Sequence, residues 1–117
     1  MTEKRKFLRL HASIEVTYKK IKQHKRQKTI ETRAENISGG GVCFVAKDDL
    51  RSGDLLDLEI SIPGLADKIH AVSEVLWFKT TKEEDRGFRE AGVRFRDISP
   101  QDLHQVLEYV HSVGIGS

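Results

Sequence analysis

The sequence predicts an all-β domain, a six-stranded antiparallel β-barrel followed by one C-terminal α-helix. Two stretches alternate apolar and polar residues with period 2, four further runs are rich in β-branched and aromatic residues, and one C-terminal stretch has helical periodicity. With 117 residues there is room for one core and little for a second, so residues 1–117 are expected to form a single stand-alone domain. The 38% hydrophobic and 32% charged content suits a globular chain. No apolar run approaches the roughly 18 residues that a membrane helix needs, so no membrane insertion is expected. The charged start Met1-Thr2-Glu3-Lys4-Arg5 lacks the apolar stretch of a secretory signal, which makes the cytoplasm the expected compartment.

In chain order, residues 1–10 are expected to form a flexible N-terminal segment, 11–97 the barrel and 99–113 the helix. Ile14, Val16 and Tyr18 alternate with Ser13, Glu15 and Thr17, as in a strand with one buried face. The basic run from Lys19 to Lys28 reads as a solvated hairpin tip. Thr29 to Ile37 and Val42 to Ala46 follow, separated by Gly39-Gly40-Gly41. After the turn signal Ser52-Gly53-Asp54, Leu56, Leu58, Ile60 and Ile62 alternate with Asp57, Glu59 and Ser61. Pro63-Gly64 then introduces Ile69 to Phe78, and the polar turn Lys82-Glu83-Glu84-Asp85-Arg86 leads to Phe88 to Phe95. A closed sheet removes the edges that such short strands would expose. Trp77 is expected in the core, with the lining of the ligand surface as the lesser alternative. Cys43 is expected in the core too, within the apolar run Val42-Cys43-Phe44-Val45, since a lone cysteine makes neither an internal disulfide nor a zinc site.

Ser99 is a suitable helix N-cap, Pro100 fits the first helical position, and Asp102 sits where a capping-box acid belongs. Leu103, Val106, Leu107 and Val110 form an apolar stripe that is expected to pack on the barrel mouth, with Gly114 available to stop the helix.

Two short segments hold the functional information. In Arg5-Lys6-Phe7-Leu8-Arg9, two guanidiniums lie four residues apart, and each can grip a phosphate or a guanine edge through two parallel hydrogen bonds. In Asn36-Ile37-Ser38-Gly39-Gly40-Gly41, an amide and a hydroxyl stand beside glycines that let a ligand approach the backbone. The charge distribution agrees: residues 1–33 hold eleven Lys or Arg against three Asp or Glu, and the rest hold nine against fifteen. An anion belongs at the basic third. On composition alone, a solvated basic tail is the favoured reading of Arg5 and Arg9.

Arg-x-x-x-Arg followed by Asn-x-Ser-x-x-Gly, in that order and at that separation, resembles the PilZ domain, the bacterial receptor module for cyclic di-GMP. The likeness spans nearly the whole chain, through Trp77, Ala91-Gly92-Val93-Arg94-Phe95 and the C-terminal helix. It implies cyclic di-GMP as the ligand and no other cofactor. Arg5 and Arg9 would clamp phosphates and guanine edges, which present N7 and O6 as adjacent acceptors. Asn36 and Ser38, with Gly39, Gly40 and Gly41, would hold the opposite face. The ligand would order the N-terminal segment and pass the signal to a downstream protein partner controlling motility, biofilm or polysaccharide. Lys4 stands where a basic residue in the family tends to accompany a mutually stacked ligand dimer, which implies two ligands per chain and a ligand-linked homodimer.

Two other classes stay open. One is a basic barrel that binds single-stranded nucleic acid through residues 19–28, although no aromatic interleaves that run for base stacking, which disfavours nucleic acid. The other is a PilZ-like adaptor that works by protein contact alone. No catalytic residue and no metal site is expected: the histidines at 11, 24, 70, 104 and 111 lack metal-ligand spacing, Ser38 lies in no nucleophile elbow, and the glycines lack a P-loop ending.

Overall fold

A computed structural model describes residues 9–22, 27–83 and 86–115. Its strands are β1 (Arg9–Lys20), β2 (Ile30–Ser38), β3 (Gly41–Ala46), β4 (Leu55–Ser61), β5 (Ile69–Glu83) and β6 (Arg86–Ile98), followed by helix α1 (Pro100–Ile115). Every pairing is antiparallel and the order β1-β2-β3-β6-β5-β4 closes on itself, so the chain is the six-stranded barrel with a C-terminal helix that its pattern predicts.

Period 2 explains the closure. Val16 pairs with Ile60 and Tyr18 with Leu58 across β1 and β4, and all four side chains are buried. Ile37, Phe44, Leu56, Ile69 and Val75 complete the barrel interior, and the Tyr18 and Phe44 rings lie 4.9 Å apart. The Tyr18 hydroxyl donates to Asp48 Oδ1 at 2.6 Å, tying the connection after β3 to the core. Burial, then that carboxylate, holds the phenol well above its usual range.

Helix α1 packs against β1, β2 and β5, with Val106 and Val110 buried. Its cap forms as expected at one bond, the Asp102 amide donating to Ser99 Oγ at 3.1 Å. The Asp102 carboxylate does not close a capping box with Ser99; it accepts from the His70 amide of β5 at 3.1 Å and fastens the helix start to the sheet. Leu107 is 39% exposed, because the buried line of the helix runs through Val106 and Val110 and leaves Leu107 at its margin. The helix continues through Gly114 to Ile115.

The strand limits of β1, β5 and β6 extend beyond the pattern. β1 begins at Arg9, so Arg9 and Leu10 pair with Ser38 and Ile37 rather than standing in the N-terminal segment. β5 and β6 run on from Thr80↔Arg89 to Glu83↔Arg86, so Lys82, Glu83 and Arg86 belong to strands; Glu84 and Asp85 lie outside the described residues. A ladder in which Phe88 is the lone large apolar residue carries no alternation to announce it. Among the described residues, no helix is long and apolar enough to cross a membrane.

Candidate functional site

Where the strands are irregular, they build a cavity. β2 carries an extra residue relative to β3 between Ala34 and Asn36, so Glu35 and Asn36 both face outward. β5 carries one relative to β6 between Val75 and Trp77, so Leu76 and Trp77 both face outward, at 47% and 40% exposure. A β-bulge re-aims a side chain in this way. Trp77 therefore lies on the outer surface and not in the core. Between the two bulges the outer rungs of β3 and β6 carry small residues, Gly41 opposite Arg94 and Cys43 opposite Gly92, which leaves a depression.

The cavity measures about 220 Å³ and is lined by Arg9, Asn36, Ser38, Gly40, Gly41, Val42 and Cys43 on one side and by Leu76, Trp77, Gly92, Val93 and Arg94 on the other. Arg9, Asn36, Ser38, Gly40 and Gly41, singled out from the sequence, thus meet in one place. Gly39 is buried in the β2–β3 turn and does not line the cavity. Lys4 and Arg5 lie outside the described residues.

Ser38 shapes the turn: its Oγ accepts from the Gly40 amide at 3.1 Å. The Gly40 carbonyl accepts from the Phe95 amide at 2.8 Å, which docks the turn on β6. A Cβ on Gly41 would run into the Val93 carbonyl, so this glycine serves close strand approach as well as the cavity wall. Gly92 is the seat of Trp77, since a Cβ there would run into the indole ring.

Electrostatics differ on the two flanks. Arg94 donates through Nε and Nη2 to Glu74 Oε1 at 3.2 and 3.0 Å, and Arg96 Nη1 reaches the same oxygen at 3.0 Å. Hydrogen bonds from Arg94 first, then Arg96, hold the Glu74 carboxyl below its usual range. On the other flank, Lys79 Nζ stands 5.3 Å from the Trp77 ring centroid and 3.7 Å from Glu90 Oε1. Cys43 is half-buried on the cavity wall rather than in the core. Burial, with the Glu90 and Glu35 charges, pushes its thiol up to about 11, so it is a neutral thiol near pH 7.

Sequence reading missed Gly92, Arg94 and Leu76 as cavity residues and misplaced Trp77. The available signal was a glycine in the middle of a strand, which marks a close approach. The resulting surface combines an open cleft, an aromatic plane, two arginines and a polar turn, a combination suited to a planar base carrying phosphate.

A family model for the PilZ domain matches residues 3–112, so the chain belongs to the PilZ domain family. Its fold is similar to that of the Bacillus subtilis inhibitor of motility, MotI/DgrA, at 22% identity and TM-score 0.78, covering 99% of this chain and 53% of that one. It is also similar to the PilZ domain, solved with c-di-GMP, of YcgR from Escherichia coli, at 18% identity and TM-score 0.72, covering 96% and 92%. The K. pneumonia MrkH–c-di-GMP complex matches at 13% identity and TM-score 0.74, covering 99% and 55%. The chain thus spans about half the length of MotI/DgrA and MrkH. No curated protein sequence matches it.

Proposed function

We propose that the cavity binds cyclic di-GMP and that the protein is a receptor for this messenger, not an enzyme. One observation carries the reading: Arg9 of β1 and Asn36 and Ser38 of β2 line a single cavity whose other wall is the Trp77 ring. An arginine fork matches guanine N7 and O6 or a phosphate, and a base stacked on an aromatic gains about 1–3 kcal/mol. Asn36 supplies an amide to the second edge of a guanine. Arg5 acts as the second clamp, Lys4 favours a stacked pair of ligands, and ligand binding orders the N-terminal segment into a surface for a protein partner. Membership of the PilZ family and the likeness to the YcgR PilZ domain solved with c-di-GMP support the choice of ligand.

Calorimetric titration with cyclic di-GMP, on the wild type and on Arg9→Ala, tests this. Saturable binding is expected, weakened about tenfold or more in the variant through loss of charge-assisted hydrogen bonds. About two ligands per chain, falling to one in Lys4→Ala, supports the role of Lys4. Absence of binding to the wild type, together with salt-sensitive binding of an oligonucleotide, would overturn the receptor reading.

A further inference from the structure

Beside the cavity the fold brings two carboxylates together. Glu35 stands at the β2 bulge, next to Asn36 on the outer face. Glu90 pairs with Val45 of β3, one outer rung along from the Gly92–Cys43 pair that floors the cavity. The Glu35 and Glu90 oxygens and the Cys43 sulfur all lie within 4.8 Å of one another. Two carboxylates at such a separation either share a proton or repel.

Among the described residues, the cation paired with this spot is Lys79. Lys79 of β5, in register with Glu90, makes the 3.7 Å ion pair described above. From β3 comes the neutral Cys43 thiol. From β1 come Arg9, whose charge is felt at Cys43, and His11, in register with Asn36. On β2 itself Arg33 is directed away, its Nε donating to Ser13 Oγ at 2.6 Å. On β6 Arg94 is engaged by Glu74, and Arg89 donates to Asp49 at 2.8 Å.

We propose that Glu35 and Glu90 form a proton-sharing pair that couples protonation to anion binding in the adjacent cavity, so that affinity for the ligand rises as pH falls through neutrality. The proposal rests on the receptor reading above. With one shared proton, the pair carries a single negative charge that Lys79 balances. Without it, a second negative charge stands behind Cys43, competes for Arg9 and Lys79, and repels the ligand phosphates. By linkage, a bound anion makes the pair hold its proton more tightly, so binding takes up a proton above neutral pH. In agreement with this, the hydrogen bond to Glu90, then burial, then the Glu90 charge, push Glu35 up to about 7, with Lys79 opposing. The two walls share Lys79, which touches both Glu90 and the face of Trp77, so loss of the proton also draws Lys79 off the ring.

The test is the dissociation constant for cyclic di-GMP at about pH 6 and about pH 8, in the wild type, Glu35→Gln and His11→Gln. Wild-type affinity is expected to weaken about three- to tenfold at the higher pH. Glu35→Gln, which mimics the protonated pair, should bind at both pH values with the affinity the wild type shows at the lower one. His11→Gln should keep the wild-type slope. A flat wild-type profile, or an unchanged slope in Glu35→Gln, overturns the proposal. Absence of binding at every pH overturns the receptor reading instead and the coupling with it. The pair is then judged alone by carbon NMR titration of the Glu35 and Glu90 carboxyls: a titration near neutrality that returns to the ordinary carboxylate range for Glu35 in Glu90→Gln upholds it, and two ordinary titrations in the wild type sink it.

Discussion

The wall of the barrel made by β4 and by β1 from Glu15 onward, and the wall made by β2, β3, β6 and β5 with Arg9 at the start of β1, belong to one continuous sheet, yet they do different things. Along the first, pairing runs unbroken from Glu15↔Ser61 to Lys20↔Leu56, with Val16, Tyr18, Leu56, Leu58 and Ile60 buried and their neighbours turned to solvent. Along the second, bulges turn Asn36 and Trp77 outward, and Gly41, Cys43 and Gly92 leave a hollow between them. Regular alternation secures the fold by burying one face completely. Interruptions of it free side chains for binding, at a cost that the regular wall offsets.

Substitutions can separate the two walls, and the largest effect on stability is expected in the regular one. Leu58→Ala, at a fully buried position, should cost about 2–5 kcal/mol in chemical denaturation while the folded fraction binds ligand as before. A matching loss of affinity would break the division of labour. Gly41→Ala sits where the roles meet: its Cβ would press on the Val93 carbonyl, so about 1–3 kcal/mol of stability and part of the affinity should go together. Trp77→Ala should do the reverse of Leu58→Ala, costing less stability because the residue is 40% exposed, yet weakening cyclic di-GMP binding by about 1–3 kcal/mol. Both quantities can be read from one preparation by denaturation and calorimetry. The smallest effect belongs to Glu74→Gln, which releases Arg94 and Arg96 and should raise the ligand association rate modestly at low salt, with the gain vanishing as salt rises. Because its folded-state carboxyl is held low, Glu74 favours the folded state above the ordinary carboxylate range and loses that contribution as pH falls; an NMR titration of Glu74 should accordingly lie below that of an unpaired glutamate.

The same division explains what could be read in advance. Val16 and Tyr18, and Leu58 and Ile60, report a half-buried strand because Val16 pairs in register with Ile60 and Tyr18 with Leu58 across an unbroken ladder. Ser99 and Pro100 mark the helix start for an equally local reason. Arg9, Asn36 and Ser38 could be chosen because their side-chain chemistry and spacing are local as well. Trp77 could not be placed, because period 2 counts it inward and the bulge that reverses it depends on how β5 meets Gly92. Cys43 reads as core in an apolar run, although its strand turns it to the outer face opposite Gly92. Asp102 reads as a capping-box acid, but its partner, the His70 amide, arrives from another element. Contacts made across the sheet leave little trace in local pattern, and the cavity consists of such contacts.

Backbone and indole chemical-shift mapping of the full chain with cyclic di-GMP tests the central claim most directly. Saturable changes are expected at Arg9, Asn36, Ser38, Gly40, Arg94 and the Trp77 indole, with β4 from Leu55 to Ser61 unmoved. Changes centred on β4 or on Lys19, Lys20 and Lys28, or a saturating ligand that leaves Asn36 and Trp77 unmoved, would contradict it.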